Sequence, residues 1–400
     1  MNIKIFSINI LMLAGFFQLH GQKVLTSEMM EASAMRFSLS EGHGINGNAR
    51  EQWLKWIDEN QFVGIAEVHN SAQLSFFTTG ILGVLKEKGF KNMALELGPH
   101  SASVLQEITF DPSDTRENIK AYSRKYAKPR KPLFVFASKI EDAIFMEEAS
   151  RLGFTFWGLD QEYLFSYEMH LDNIHKLAKQ PTPELQAAYE KAKTLIHKNI
   201  LKSKVSGQSV YCWYLSNEII NDYLKMMEND DEAKAIIDDM RKSWDIYCRY
   251  DSGRGSNQQR ADYMKSNFAK YYVNSDEESP KVFLKLGGVH LTHGLSQFKV
   301  DDMGKFLTEK TASDQSGFLS IRHLIAYRNG KSNVGKRGWK STSLFLELGR
   351  KDQWTALDLR PFRKMMENDE IEVSKGIAFE LRSYDILLLS PDDQYPKPNY

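Results

Sequence analysis

Phe62-Val63-Gly64-Ile65-Ala66-Glu67-Val68-His69 is an apolar run that stops on an acid and a histidine, and its reading decides the fold. A buried parallel strand reads as a short apolar run bounded by turn signals. Two further runs share the design: Met93-Ala94-Leu95-Glu96-Leu97-Gly98, and Val282-Phe283-Leu284-Lys285-Leu286-Gly287-Gly288-Val289-His290, with His293 three residues on. In open α/β sheets, ligands and catalytic groups collect at the carboxyl ends of such strands. If these three strands are neighbours, Glu67, His69, Glu96, His290 and His293 converge in one crevice. An active site is the leading expectation.

Outward from the first strand, Leu74, Phe77, Ile81, Leu82 and Leu85 have helical spacing and Gly89 stops them. With the next strand, Asn92 to Leu97, this makes a β-helix-β unit of the length a right-handed crossover needs. Upstream, Ser27 to Phe37 and Asn48 to Glu59 are expected to be helical. Downstream, Ser101 to Ile108 and Ile140 to Leu152 are expected helices, Leu133 to Phe136 a strand or buried turn, and Phe154 to Asp160 a third strand. From Leu164 to about Tyr272 the pattern is almost wholly helical, broken at Gln180-Pro181-Thr182-Pro183 and at Asp251 to Ser256. Gly317 to Ala326 and Ile377 to Leu389 are expected to supply the later strands. The expected fold class is α/β: a mostly parallel central sheet flanked by helices, with a large helical insertion over about 164–272. One domain is expected over 22–390, with a loose tail from Pro391.

With 42% hydrophobic residues in 400, the chain can bury a sizeable core. The 52 basic and 52 acidic side chains cancel, so no overall field favours nucleic acid or an anionic membrane. The basic stretch from Arg116 to Lys131 has the charge to hold an anionic substrate but reads better as a solvated loop. At the N-terminus, Lys4 precedes an apolar run from Ile5 to Phe17 and a polar Gln18 to Gln22. A charged start, a short apolar core and a small residue before the cut are the marks of a secretory signal peptide, here 1–21. The run is short for a bilayer span. The mature chain is therefore expected outside the cytoplasm, periplasmic or extracellular, acting on a small molecule or peptide. Two cysteines, Cys212 and Cys248, are compatible with a disulfide or with buried free thiols.

Residues i and i+2 on a strand point the same way, so Glu67 and His69 face one crevice. Such a pair suits a metal, or a histidine base oriented by its carboxylate; a strand-end histidine satisfied by a turn is the bland alternative. Glu96 lies inside an apolar run, where a lone carboxylate needs a cation, a metal or a shared proton. Asp160 ends its strand either as a site acid or as a helix N-cap. The i,i+3 spacing of His290 and His293 after Gly287-Gly288 brings both imidazoles to one side if a helical turn starts there. His100, four residues after Glu96, is a weaker candidate. No G-x-S-x-G elbow, His-Glu-x-x-His or P-loop is present.

Ala66-Glu67-Val68-His69, then Glu96, then Gly287-Gly288-Val289-His290 with His293, resemble the erythromycin esterase-like group. That group looks related to a wider set containing the haem-uptake ChaN-like proteins and the Tiki/TraB-type metalloproteases. Arg260, Met264 and Asn267 resemble the Arg-x3-Met-x2-Asn helix of esterase-like members. The acid stands two residues before the first histidine, as in the ChaN and Tiki branches, rather than three. The resemblance implies a hydrolase in which His69 activates water, Glu96 holds it, His290 and His293 complete the pocket, and Arg260 binds an anionic group or an oxyanion. A divalent metal on Glu67, His69, Glu96 and His290 would be zinc or manganese. The ChaN-like alternative is a haem or iron binder without turnover, with Tyr163 and Tyr167 as axial ligands.

Overall fold

A computed structural model describes residues 23–126, 128 and 131–399; the expected signal peptide lies outside them. Among the described residues the central sheet has eight strands: β1 (Met35–Phe37), β2 (Phe62–Glu67), β3 (Asn92–Leu95), β4 (Thr155–Gly158), β5 (Val282–Gly287), β6 (Phe318–Ile325), β7 (Trp354–Asp358) and β8 (Ile386–Ser390). Their order across the sheet is β1-β7-β8-β6-β2-β5-β3-β4. From β8 to β4 every pairing is parallel, and only β7 runs against the rest. The three expected site strands are adjacent, with β5 seated between β2 and β3.

Alternation along β2 builds both cores. Val63 and Ile65 bury themselves under the helices Gly47–Asp58, Ala72–Glu87 and Ile140–Arg151, while Phe62 and Ala66 face the helices Asn257–Val273 and Met303–Asp314. A third core lies wholly within the helical region, around Tyr167, Tyr214, Tyr223 and Trp244. That region runs from Tyr167–Leu177 to Asn257–Val273. The disulfide Cys212–Cys248 joins two of its helices, Val210–Ser216 and Asp231–Asp251.

The structure corrects several expectations. The first helix covers only Ser27–Glu31; the β-favouring Met35-Arg36-Phe37 then forms the edge strand β1. Residues 377–383 are not strand. Ile377 and Leu381, four apart, pack one face of the helix Lys375–Ser383, and the strand begins only at Ile386. Trp354–Asp358 adds a strand, β7, beyond those expected. Of the two readings of Leu133 to Phe136, the buried turn holds. The C-terminal tail is pinned rather than loose: the Ala72 amide donates to the Gln394 carbonyl (3.0 Å) and Ile140 to Lys397 (2.9 Å). Asp393, fully buried, accepts from the Gln73 amide (3.1 Å) and from Arg328 (2.9 Å). Among the described residues no helix is long and apolar enough to cross a membrane.

Candidate functional site

Strand register assembles the site. Glu67 stands opposite Gly287, and Lys285 opposite Ile65, on the face that Glu67 shares. Lys285 and Glu67 meet as a buried ion pair. Beyond β2 the chain turns at Asn70, which takes the left-handed conformation (φ 60°) that Asn tolerates. This leaves His69 over the strand ends, its Nδ1 2.7 Å from Glu67 Oε1. A carboxylate only accepts, so Nδ1 carries the proton and the neutral ring presents a lone pair at Nε2. That atom faces Glu96 Oε2 at 3.9 Å.

His290 repeats the arrangement from the other side. It lies in the 3-10 turn Gly288–Leu291, with Nδ1 2.9 Å from Asp302 Oδ2 and Nε2 3.7 Å from Glu96 Oε1. Glu96 is thus flanked by two imidazoles, each held from behind by its own carboxylate. It also accepts from the Gly287 amide (2.6 Å) and from Arg260 Nη2 (2.7 Å). Gly287 is needed here for room: a Cβ would come within 2.9 Å of the His69 ring and 3.1 Å of Glu96 Oε2. Its φ of −56° is open to any residue, so the glycine is required by space and not by backbone freedom.

Arg260 is clamped by Asp160, Nε to Oδ1 at 2.8 Å and Nη2 to Oδ2 at 2.6 Å. Asp160 is therefore an arginine partner rather than a helix cap. The Arg260 helix presents three positions along one face. Arg260 meets the site, Met264 is buried in the core, and Asn267 donates to the Leu159 carbonyl (2.9 Å) at the end of β4. This explains the spacing of the Arg-x3-Met-x2-Asn pattern.

Charge sets the protonation states. Burial opposes ionisation of Glu67, but Lys285 and His69 outweigh it and hold the carboxyl far below the usual range. Burial likewise opposes the charge of Glu96, and His290, Arg260 and His69 bring it down to about 2. Burial works against the imidazolium of His69, yet the hydrogen bond and charge of Glu67, aided by Glu96, raise its pKa. His290 is raised in the same way by Asp302 and Glu96 against burial and Arg260. The rings differ in access: the His69 side chain is 36% exposed, that of His290 6%.

Two expected members lie elsewhere. The turn at Gly288–Leu291 gives way to extended backbone at Thr292, so His293 does not follow His290 round a helix. It bonds Asp385 (2.7 Å) and Thr308 (2.8 Å) instead, and Asp385 precedes β8, at the amino ends of the strands. His100 sits in a separate buried cluster with Glu162 and His170. Sequence reasoning missed Lys285, Asp302 and Phe136. Phe136 stacks on His69 with ring centroids 4.1 Å apart.

The donor set does not fit a divalent metal. Glu67 is paired with the Lys285 ammonium and Glu96 shares the Arg260 guanidinium with Asp160, so a dication would compete with both cations. Among the described residues no three acids, histidines or cysteines are arranged to hold one. Haem fits no better. Tyr167 is fully buried and donates its hydroxyl to the Glu162 carbonyl (3.1 Å). Tyr163 lines a cavity beside Glu96, Asp160 and Arg260 of only about 220 Å³, below the ~300–1,000 Å³ usual for ligand pockets.

No protein-family model matches the sequence, and no curated protein matches it significantly. Solved structures do. A Bacillus cereus protein aligns with TM-score 0.60 at 13% identity, over 94% of this chain and 98% of its own. A succinoglycan biosynthesis protein aligns with TM-score 0.56 at 15% identity, over 94% and 98%. A mutant of the erythromycin esterase EreC in its open conformation aligns with TM-score 0.56 at 12% identity, over 89% and 96%. From end to end of the aligned region, then, the chain has the α/β fold of an erythromycin esterase.

Proposed function

We propose that the chain is an exported hydrolase that cleaves an ester or amide bond with a water activated by His69. The observation that carries this reading is the pair of imidazoles whose Nε2 atoms face the two oxygens of Glu96 while their Nδ1 atoms are held by Glu67 and Asp302. His69, the accessible ring, takes the proton of the water as its oxygen attacks the carbonyl carbon. Glu96 orients that water. His290, buried and held toward its protonated form, gives a proton to the leaving oxygen or nitrogen as the scissile bond breaks. Arg260 positions Glu96 through Nη2 while Nε and Nη2 hold Asp160, and its side chain also lines the cavity beside Glu96. Lys285 does the same for Glu67.

The fold shared with an erythromycin esterase supports the reaction class. The disulfide supports export, since such bonds persist in oxidising compartments. The cavity beside Glu96 is the place for the acyl group, with Leu97, Leu133 and Val135 as its apolar wall. The test is turnover of a panel of p-nitrophenyl esters and anilides by the wild-type chain and by His69→Ala and His290→Ala. Hydrolysis lost in both variants is expected. Equal turnover in wild type and His69→Ala would sink the reading, and a Soret band in the purified protein would favour the haem binder.

A further inference from the structure

Phe136 belongs to no part of the reaction described above, yet it occupies the most constrained position near it. Its φ of 62° is a left-handed conformation that a bulky aromatic residue rarely adopts. The turn is held on both sides: Leu133, Phe134 and Ala137 are buried, and the Phe134 amide donates to Ser138 Oγ (2.9 Å). The C-terminal tail ties the same turn to the loop after β2. Ile140 donates to Lys397 (2.9 Å), the Lys397 amide donates to Glu141 Oε2 (2.8 Å), and Ala72 donates to Gln394 (3.0 Å). The outcome is a ring lying flat on His69, 4.1 Å between centroids and 14° between planes.

Phe136 also borders two cavities. One, of about 220 Å³, holds Glu96, Asp160 and Arg260. The other, of about 60 Å³, is polar, with Glu67, Ser71, Ser75, Asp142 and Lys285 around it. Phe136 and Val135 line both, so the turn is the wall between them.

We propose that Phe136 is a specificity-determining residue, a roof over His69 and a partition of the crevice that restricts the hydrolase to compact acyl groups. The proposal rests on the hydrolytic reading and adds a substrate class to it: esters or amides with short acyl chains. A longer chain would have to displace the ring and, with it, a turn fastened by the core and by the tail.

Two measurements on the full chain test it, in wild type, Phe136→Ala and Phe136→Leu, with circular dichroism to certify folding. The first is carbethoxylation of His69 by diethyl pyrocarbonate, followed by peptide mass mapping; it does not depend on turnover. A rise of at least about fivefold in Phe136→Ala is expected, with the exposed His197 unchanged and Phe136→Leu in between. The second is the ratio of kcat/KM for p-nitrophenyl octanoate over acetate. It is expected to rise by about tenfold, the scale on which pockets distinguish methylenes. Equal His69 modification in all three chains overturns the roof. Faster modification with an unchanged chain-length ratio overturns the specificity role. Faster modification in chains that hydrolyse no ester supports the partition and removes the hydrolase reading instead.

Discussion

Two buried glutamates in this molecule each gather two histidines, and only one of the two clusters has the makings of a reaction centre. Around Glu162, every acceptor is used. Oε1 takes the amides of His100 (2.8 Å) and Ser101 (3.1 Å), and Oε2 takes the Ser101 hydroxyl (2.5 Å) and His170 Nε2 (2.9 Å). Glu162 and His170 are wholly buried. The carboxylate seats the first turn of the helix Pro99–Ile108 against the helical region, at the end where a helix prefers an anion. Around Glu96 the histidines stand off at 3.7 and 3.9 Å, each with its far nitrogen fixed, and one ring is partly exposed. An acid beside a histidine is a structural fastener when the contact is closed, and a candidate catalyst when a gap is kept between them.

The sharpest way to break this contrast is to remove one histidine from each cluster. His69→Ala is expected to lower kcat/KM by ~10²–10⁴-fold, the usual worth of a positioned general base. His170→Ala should leave kcat/KM within a few-fold while lowering Tm. A comparable loss of turnover from His170→Ala would show that both clusters serve the reaction. Next comes Lys285→Met, which strands the Glu67 charge in the interior; chemical denaturation is expected to find the fold weaker by ~3–5 kcal/mol. Glu162→Gln should cost less, on the order of 1–3 kcal/mol, because the amide can still accept from the helix amides.

Acid titration sharpens the same comparison. Against burial, His170, then His100 and Ser101, depress the Glu162 carboxyl to about 2. A depressed carboxyl contributes stability above its unfolded pKa and loses it as pH falls toward its folded one. The Glu162→Gln variant should therefore show a flatter decline in stability below about pH 4.5 than wild type. The smallest effect is on the rate profile. The base role proposed for His69 requires the neutral ring, and its pKa is raised, so kcat/KM is expected to climb with pH through a value above the ordinary ~6.5. Its contribution to stability has the opposite sense: full below ~6.5 and lost as pH rises through the folded pKa. A rising limb centred below pH 6 would contradict the Glu67–His69 pairing.

Much of this was legible in the residues, because parallel strands announce themselves as apolar runs and their ends are where polar groups collect. Glu67, His69, Glu96 and His290 meet as the strand ends imply, and Arg260 joins them from the helix that resembles an esterase-like motif. Lys285 was equally readable. A lysine inside Val282-Phe283-Leu284-Lys285-Leu286 needs a buried partner for the same reason that Glu96 does. Asp302 was harder, since it caps the helix Met303–Asp314 through Oδ1 while its other oxygen holds His290. His293 departs from its expected place because the helical turn that its spacing presupposes ends at Leu291. Nothing local predicts Phe136, whose position is set by a tail more than 250 residues away.

The seat of β5 between β2 and β3 has a consequence for the order of events in folding. The first two site strands are complete by residue 95, but they pair with each other nowhere in the finished sheet; both pair with a strand made some 190 residues later. Until residue 287 is synthesised, the middle of the sheet has no partner to close it. A nascent or truncated chain ending before that point holds two apolar strands with open edges and only part of the candidate site. Such late, non-local pairing slows folding and leaves strand edges exposed to aggregation. Any shortened form of this protein that stops before β5 should be recovered as aggregate, with neither the sheet nor the site.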